Sequence, residues 1–289
     1  MKKITILKIC AVASILLFIF SLFDSIIFSG EKSTKTAFLN PSAKDRVVSL
    51  ALFDNGVITE LFFENSVWKG KCGNMIFPVE QKQAEAFIDS LSKIRKVTES
   101  SSFKKNQKNE TFLISYSDDS GKTTTIHFGK EDFSGTQRYY WLEKNEKLFR
   151  TQNDFDRFLQ SDPRIWYDPY LIPKNIAPND LENELLSATL FINEKQEILK
   201  DSDSKEKLNK LSELRHGQLF FGNTESLKKA GKLTAVKADK TLVNLDFYDL
   251  QDDESSGKIL VYSIKGAWNY TVQISEWTFK TICSLFNER

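Results

Sequence analysis

Only two histidines occur in the chain, His127 within TTTIHFG and His216 beside Gly217. A zinc centre needs at least three closely placed ligands, and the sequence has neither an HxxxH pair nor a Cys/His cluster. A Ser-His-Asp relay could be built from distant residues, but there is no GxSxG elbow to mark one. Both histidines are therefore read as structural or surface residues. Cys10, Cys72 and Cys283 share no CxxC or metal-type spacing. Cys72 and Cys283 are read as isolated thiols, with a long-range disulfide between them as the alternative outside the cytoplasm.

Two acidic runs, Asp118-Asp119 and Asp252-Asp253-Glu254, resemble calcium ligands in composition, yet the DxDxDG spacing is missing. Each run lies between β-rich stretches and is followed by Gly-Lys, which is the chemistry of a tight turn. No GxxxxGK[ST] and no GxGxxG is present, so neither a phosphate-cradling loop nor a dinucleotide turn is expected. The tryptophans Trp68, Trp141, Trp166, Trp268 and Trp277 could stack on sugars; their strand- and helix-like settings fit packing better. The reading assigns no catalytic, cofactor-binding or metal-binding residue and no cofactor, and expects the protein not to be an enzyme.

The elements that would position any site begin with the N-terminus. Residues 1–8 carry Lys2, Lys3 and Lys8, and residues 9–28, from Ile9 to Phe28, form an apolar run interrupted by Asp24 and Ser25. At 1.5 Å per residue that run matches a hydrocarbon core of about 30 Å. Lysines before it and none after it until Lys32 predict a cytoplasmic tail at 1–8 and a transmembrane helix at 9–28. The bulk of the chain would then lie outside the cytoplasm, on a single-pass cell-membrane anchor. A cleaved signal peptide is the alternative, weakened by the lack of an A-x-A site near Ser29-Gly30. Without Lys2, Lys3, Lys8 and Asp24, the formal charge of +1 becomes −1. No nucleic-acid partner is expected from so balanced a body.

Residues 29–45, polar and containing Pro41, read as a tether. Hairpins are expected at 46–53 with 57–63 around Asn55-Gly56, then around Trp68 and residues 75–77. Phe87, Leu91 and Ile94 give residues 81–95 a helical stripe. Further hairpins pair 111–116 with 123–128 and 138–142 with 147–150, and Asn153 is placed to cap a short helix through Leu159. Similar segments recur in order. SLALFDN from Ser49 resembles SATLFIN from Ser187, and LSKIR from Leu91 resembles LSELR from Leu211. The turn Asp118–Lys122 resembles Asp252–Lys258. The spacing predicts tandem α+β domains at 46–173 and 174–289, each an antiparallel, hairpin-rich sheet with helices on one face. A final helix carries Phe279, Ile282, Cys283 and Phe286. The join WYDPYLIP, residues 166–173, reads as a stiff packed connector, with partner docking as the alternative.

Ser66-Val-Trp68-Lys-Gly70, then Phe77-Pro78-Val-Glu80 and the helix ending Leu91-Ser-Lys-Ile-Arg95, resemble the opening of an uncharacterised family of membrane-anchored bacterial proteins. Thr125-Ile-His-Phe-Gly129, Tyr139-Tyr-Trp141 and Leu148-Phe-Arg150 follow in that family's order. The resemblance implies one N-terminal transmembrane helix, tandem copies of the domain, and genes often beside gliding-motility-type ABC transporter components. The expected function is that of a non-catalytic accessory protein or subunit in a transporter-type envelope complex. Its partners would be the membrane and a transporter-like membrane protein. An envelope hydrolase or glycan-binding module with a dispersed site is the alternative.

Overall fold

Hairpins account for most of the chain, and their turn residues show why. The computed structural model describes residues 33–54, 56–99, 110–143, 147–174, 176, 184–250, 257–264 and 268–287. The expected membrane helix at 9–28 lies outside these. Among the described residues, no helix is long and apolar enough to cross a membrane.

In the first half the strands are β1 (Ser33–Thr36), β2 (Val47–Asp54), β3 (Val57–Glu64), β4 (Val67–Cys72) and β5 (Met75–Pro78). Helix α1 (Gln81–Ser92) precedes β6 (Arg95–Glu99), β7 (Phe112–Asp118), β8 (Thr123–Glu131), β9 (Gln137–Leu142) and β10 (Phe149–Gln152). The second half has β11 (Leu185–Ile192), β12 (Lys195–Lys200), α2 (Asp201–Glu213) and β13 (Gln218–Leu219). It continues with β14 (Lys229–Lys237), β15 (Leu242–Asp249), β16 (Gly257–Ile264), β17 (Thr271–Ser275) and α3 (Glu276–Asn287). Gly56 supplies the positive φ that the β2–β3 turn requires; Asn193 and Glu194 both adopt positive φ in the two-residue β11–β12 turn.

The strands form two antiparallel sheets, giving an α+β protein rich in β-structure. The first has ten strands in the order β1-β6-β10-β9-β8-β7-β2-β3-β4-β5. The second has seven, ordered β12-β11-β14-β15-β16-β17-β13. Its order follows that of β3-β2-β7-β8-β9-β10-β6 in the first sheet. Register agrees as well: Leu50 faces Leu61 where Ala188 faces Leu199, and Ile114 faces Ile126 where Leu233 faces Leu245. Both sheets carry a bulge at the matching place, between Val47 and Ser49 and between Leu185 and Ser187.

The first sheet's extra hairpin, β4–β5, joins the halves. Ile76 and Asn269 exchange backbone hydrogen bonds of 2.8 and 3.0 Å, and Lys69 Nζ lies 5.1 Å from the Trp268 ring centroid. Gly70 lets this hairpin close over the core, because a Cβ there would sit 2.2 Å from the buried Phe77 ring. Buried apolar residues of both sheets, from Leu39 to Phe286, belong to one contiguous cluster.

Four expectations need correction. The tether at 29–45 is folded from Ser33 onward: β1 pairs with β6, Leu39 is buried, and Phe38 packs edge-on to Phe128, Tyr140 and Phe155. Its polar composition concealed two apolar anchors. The helix expected at 81–95 stops at Ser92, since Arg95 turns inward to bind carbonyls at the helix end and Ile94 is left exposed. Asn153 does not cap a helix through Leu159; only a 3₁₀ turn, Asp156–Phe158, forms, and the Asn153 amide donates to the Gly135 carbonyl. The turn Asp118–Lys122 corresponds in register to the β14–β15 turn, between Val236 and Leu242. The Asp252–Lys258 stretch instead falls in sequence after β15 and runs into β16, so its likeness does not mark an equivalent turn.

Candidate functional site

An open groove of about 550 Å³ lies at one end of the first sheet. Its rim comes from the 3₁₀ turn Pro41–Arg46, whose N-cap Asn40 accepts hydrogen bonds from the Ser42 amide (3.1 Å) and hydroxyl (2.8 Å). The β2 bulge turns Val48 towards the groove, while α1 contributes Glu85, Ile88 and Asp89. Phe63 and Trp68 form an aromatic wall, with ring centroids 5.4 Å apart; Phe63 is 43% exposed.

Gln81, the first residue of α1, fixes that wall. Its side-chain carbonyl accepts from the Trp68 amide at 2.8 Å, and its amide donates to the carbonyls of Trp68 and Val79 at 3.0 Å each. Charge alternates around the rim, with Lys44 and Arg46 among Asp45, Glu85, Asp89 and Asp119. Lys44 donates to Asp89 at 3.0 Å, and this bond raises the Lys44 pKa above the usual lysine value. Neither histidine nor cysteine lines the groove. Apolar walls with a mixed-charge rim suit the docking of a polypeptide segment.

The two histidines lie elsewhere and apart. His127 is on the outer face of β8, stacked on Trp141 at 5.3 Å, with Nδ1 2.5 Å from Glu110 Oε2. A carboxylate-oriented imidazole is half of a proton-transfer unit. Its cross-strand neighbours are the apolar Leu113 and Trp141, which makes packing its evident role.

His216 is buried where the halves meet. Nε2 lies 2.9 Å from the Asp168 carbonyl, so it carries the proton, and the Tyr167 ring is 4.8 Å away. Nδ1 is buried with no hydrogen-bond partner among the described residues. Burial pushes the His216 pKa down to about 4, against the Asp168 carbonyl, which works to raise it. The unfolded chain takes up this proton near pH 6.5 and the folded chain only near pH 4. Stability is therefore complete above about 6.5 and falls by about 3 kcal/mol as pH drops towards 4. His216→Gln is expected to remove that share of the pH dependence, checked by comparing urea midpoints of both proteins at pH 7 and pH 4.5.

The connector at 166–173 is packed as expected, with Trp166, Leu171 and Ile172 fully buried. Its polar partners were not foreseen. Asp168 accepts from the amides of Tyr170 (3.0 Å) and Lys174 (2.6 Å), and its own amide donates to Pro78 at 2.8 Å. From the second sheet, Lys237 donates to the Pro173 carbonyl and Tyr262 to that of Leu171, each at 2.8 Å. Such long-range partners have no local sequence signal.

The remaining candidates fall as follows. Asp118 closes its own turn by accepting from the Ser120 and Lys122 amides, both at 3.0 Å. Asp252, Asp253 and Glu254 lie outside the described residues. Among the described residues no cluster of three or more His, Cys, Asp or Glu could hold a metal. Cys72 and Cys283 are free thiols. Trp68, Trp141, Trp166 and Trp268 are buried and Trp277 is 71% exposed. No known protein family, no curated protein and no solved structure matches the chain.

Proposed function

We propose that this chain is a membrane-anchored, extracytoplasmic accessory protein or subunit of a transporter-type envelope complex, and that its groove docks a polypeptide segment of the partner. The observation that carries the reading is the groove itself, with apolar walls under a rim of mixed charge. Strand register aligns Thr123, Asp118, Val47 and Glu64 at one end of the first sheet, the end that bears the groove. Ser33 follows Phe28 by five residues. An extended chain of that length spans at most about 18 Å. If residues 9–28 anchor the protein, the folded body is held against the bilayer. The shared strand order, register and bulge support descent of 46–173 and 174–289 from tandem copies, with β4–β5 added to join them.

The test is co-purification of the full chain from detergent-solubilised membranes, with partners identified by mass spectrometry. Wild type is expected to recover a permease or ATPase component. Phe63→Glu with Glu85→Lys, both on the groove wall, should reduce that recovery about tenfold or more, the loss expected when a central contact is removed. Absence of a transporter-type partner, or equal recovery by the variant, would overturn the reading.

A further inference from the structure

We propose that the outer edge of β12 pairs with β12 of a second copy of this chain, joining the two seven-stranded sheets edge to edge. The first half shows what such an edge takes. By strand order and register β12 corresponds to β3, and β3 is paired by β4 from Thr59, opposite Cys72, to Glu64, opposite Val67. Thr59 is fully buried there, whereas its counterpart Glu197 is exposed. Among the described residues no strand covers β12, which ends its sheet. An uncovered edge offers a row of backbone amides and carbonyls to another strand.

The sequence of the strand, KQEILK, points to its own copy as that strand. Ile198 is 50% exposed, on the face that Gln196 shares with Phe191, its opposite residue, 47% exposed. Leu199 between them in alternation points into the core. In a two-fold antiparallel pair the residue on the axis faces itself, and side chains match face to face only when a residue lies there. With Ile198 on the axis, Ile198 meets Ile198, Gln196 meets Lys200 and Glu197 meets Leu199. No like charges then stand opposite each other. With Glu197 on the axis, two carboxylates do. With Leu199 there, Ile198 faces Lys200, and with Gln196 there, it faces Glu194 of the turn. One register alone sets the exposed isoleucine against an apolar residue. Lys195, Glu197 and Lys200 guard this edge against unrelated strands and are tolerated in that register.

The experiment uses the full chain in detergent. Sedimentation equilibrium is expected to show the mass rising from one chain to two as concentration increases. Ile198→Lys sets two cations opposite each other at an exposed site; it should weaken the dimer about tenfold and leave the circular dichroism unchanged. Mild oxidation reads the register. Ile198→Cys should cross-link two copies, because directly opposed Cα atoms lie about 4.5–5.5 Å apart, within disulfide reach. Gln196→Cys, on the same face of the same strand, should stay at the wild-type background, since its two copies would stand about 13 Å apart along the strands. A wild type that remains a single chain at every concentration overturns the proposal, as does a dimer that Ile198→Lys leaves equally tight. Equal cross-linking of the two cysteine variants, or none above background in either, overturns it as well.

Discussion

Arg95→Ala is expected to destabilise the protein by about 3–5 kcal/mol, the loss associated with breaking a buried, hydrogen-bonded ion pair from one side. Only 2% of the Arg95 side chain is exposed. Its Nε donates to Asp154 at 2.9 Å; Nη1 donates to the carbonyls of Ser90 (2.6 Å) and Lys93 (3.0 Å), and Nη2 to the Ser90 hydroxyl (3.1 Å). The guanidinium also lies over the rings of Phe38 and Phe155, 5.3 and 5.2 Å from their centroids. One side chain thereby ties together the end of α1, the start of β6, the turn after β10 and the segment leading out of β1. Lysine offers one compact charge and cannot reach this spread of acceptors, so Arg95→Lys should recover little. Asp154 is also held by Lys93 at 2.5 Å and is partly solvated, so Asp154→Asn should cost less than Arg95→Ala. Urea denaturation of the three variants gives the ranking, and a loss below about 1 kcal/mol for Arg95→Ala, the scale of a surface ion pair, would remove Arg95 from this role.

Arg95 also shows what the sequence could reveal. Its apolar neighbours predicted a helix through residue 95, because Phe87, Leu91 and Ile94 fall on one stripe. The true helix end depends on a guanidinium whose acceptors include Asp154, far along the chain. Hairpins were legible because their turn residues act locally; Asn55-Gly56 specifies its turn whatever the rest of the protein does. The recurrence of SLALFDN and LSKIR located equivalent strands and helices, whereas the Asp-rich turns misled because turn chemistry recurs at every hairpin. The groove was not legible at all. Phe63, Trp68, Ile88 and Asp119 meet only through sheet pairing and the docking of α1, and no single segment carries that information. His216 read as a surface residue or a structural one, and its burial follows from Tyr167 and Asp168 in a connector whose packing alone was foreseen.

Trp166→Ala is expected to cost about 3–5 kcal/mol, the range for truncating a buried aromatic to alanine. Trp166 has no exposed surface, and its ring centroid lies 5.4 Å from Phe87 of α1 and 6.2 Å from Phe158. Its carbonyl accepts from the Glu80 amide at 2.9 Å, and its indole donates to the Gln160 carbonyl at 3.3 Å. Backbone contacts would survive truncation, since the next residues remain tied by the Val79–Tyr167 bridge and the bond from Asp168 to Pro78. What is lost is the plug between α1 and the connector, leaving a void that surrounding rings can only partly fill. Trp166→Phe restores most of the ring but not the indole donor, and should cost about 1–3 kcal/mol, set by a smaller cavity and one unsatisfied carbonyl. The order wild type, Trp166→Phe, Trp166→Ala in urea midpoint is the expected result. Equal midpoints would mean that the connector is held by its backbone and by Asp168 alone. The distinction bears on function, because a connector fixed by Trp166 keeps the second sheet in a set position relative to the groove.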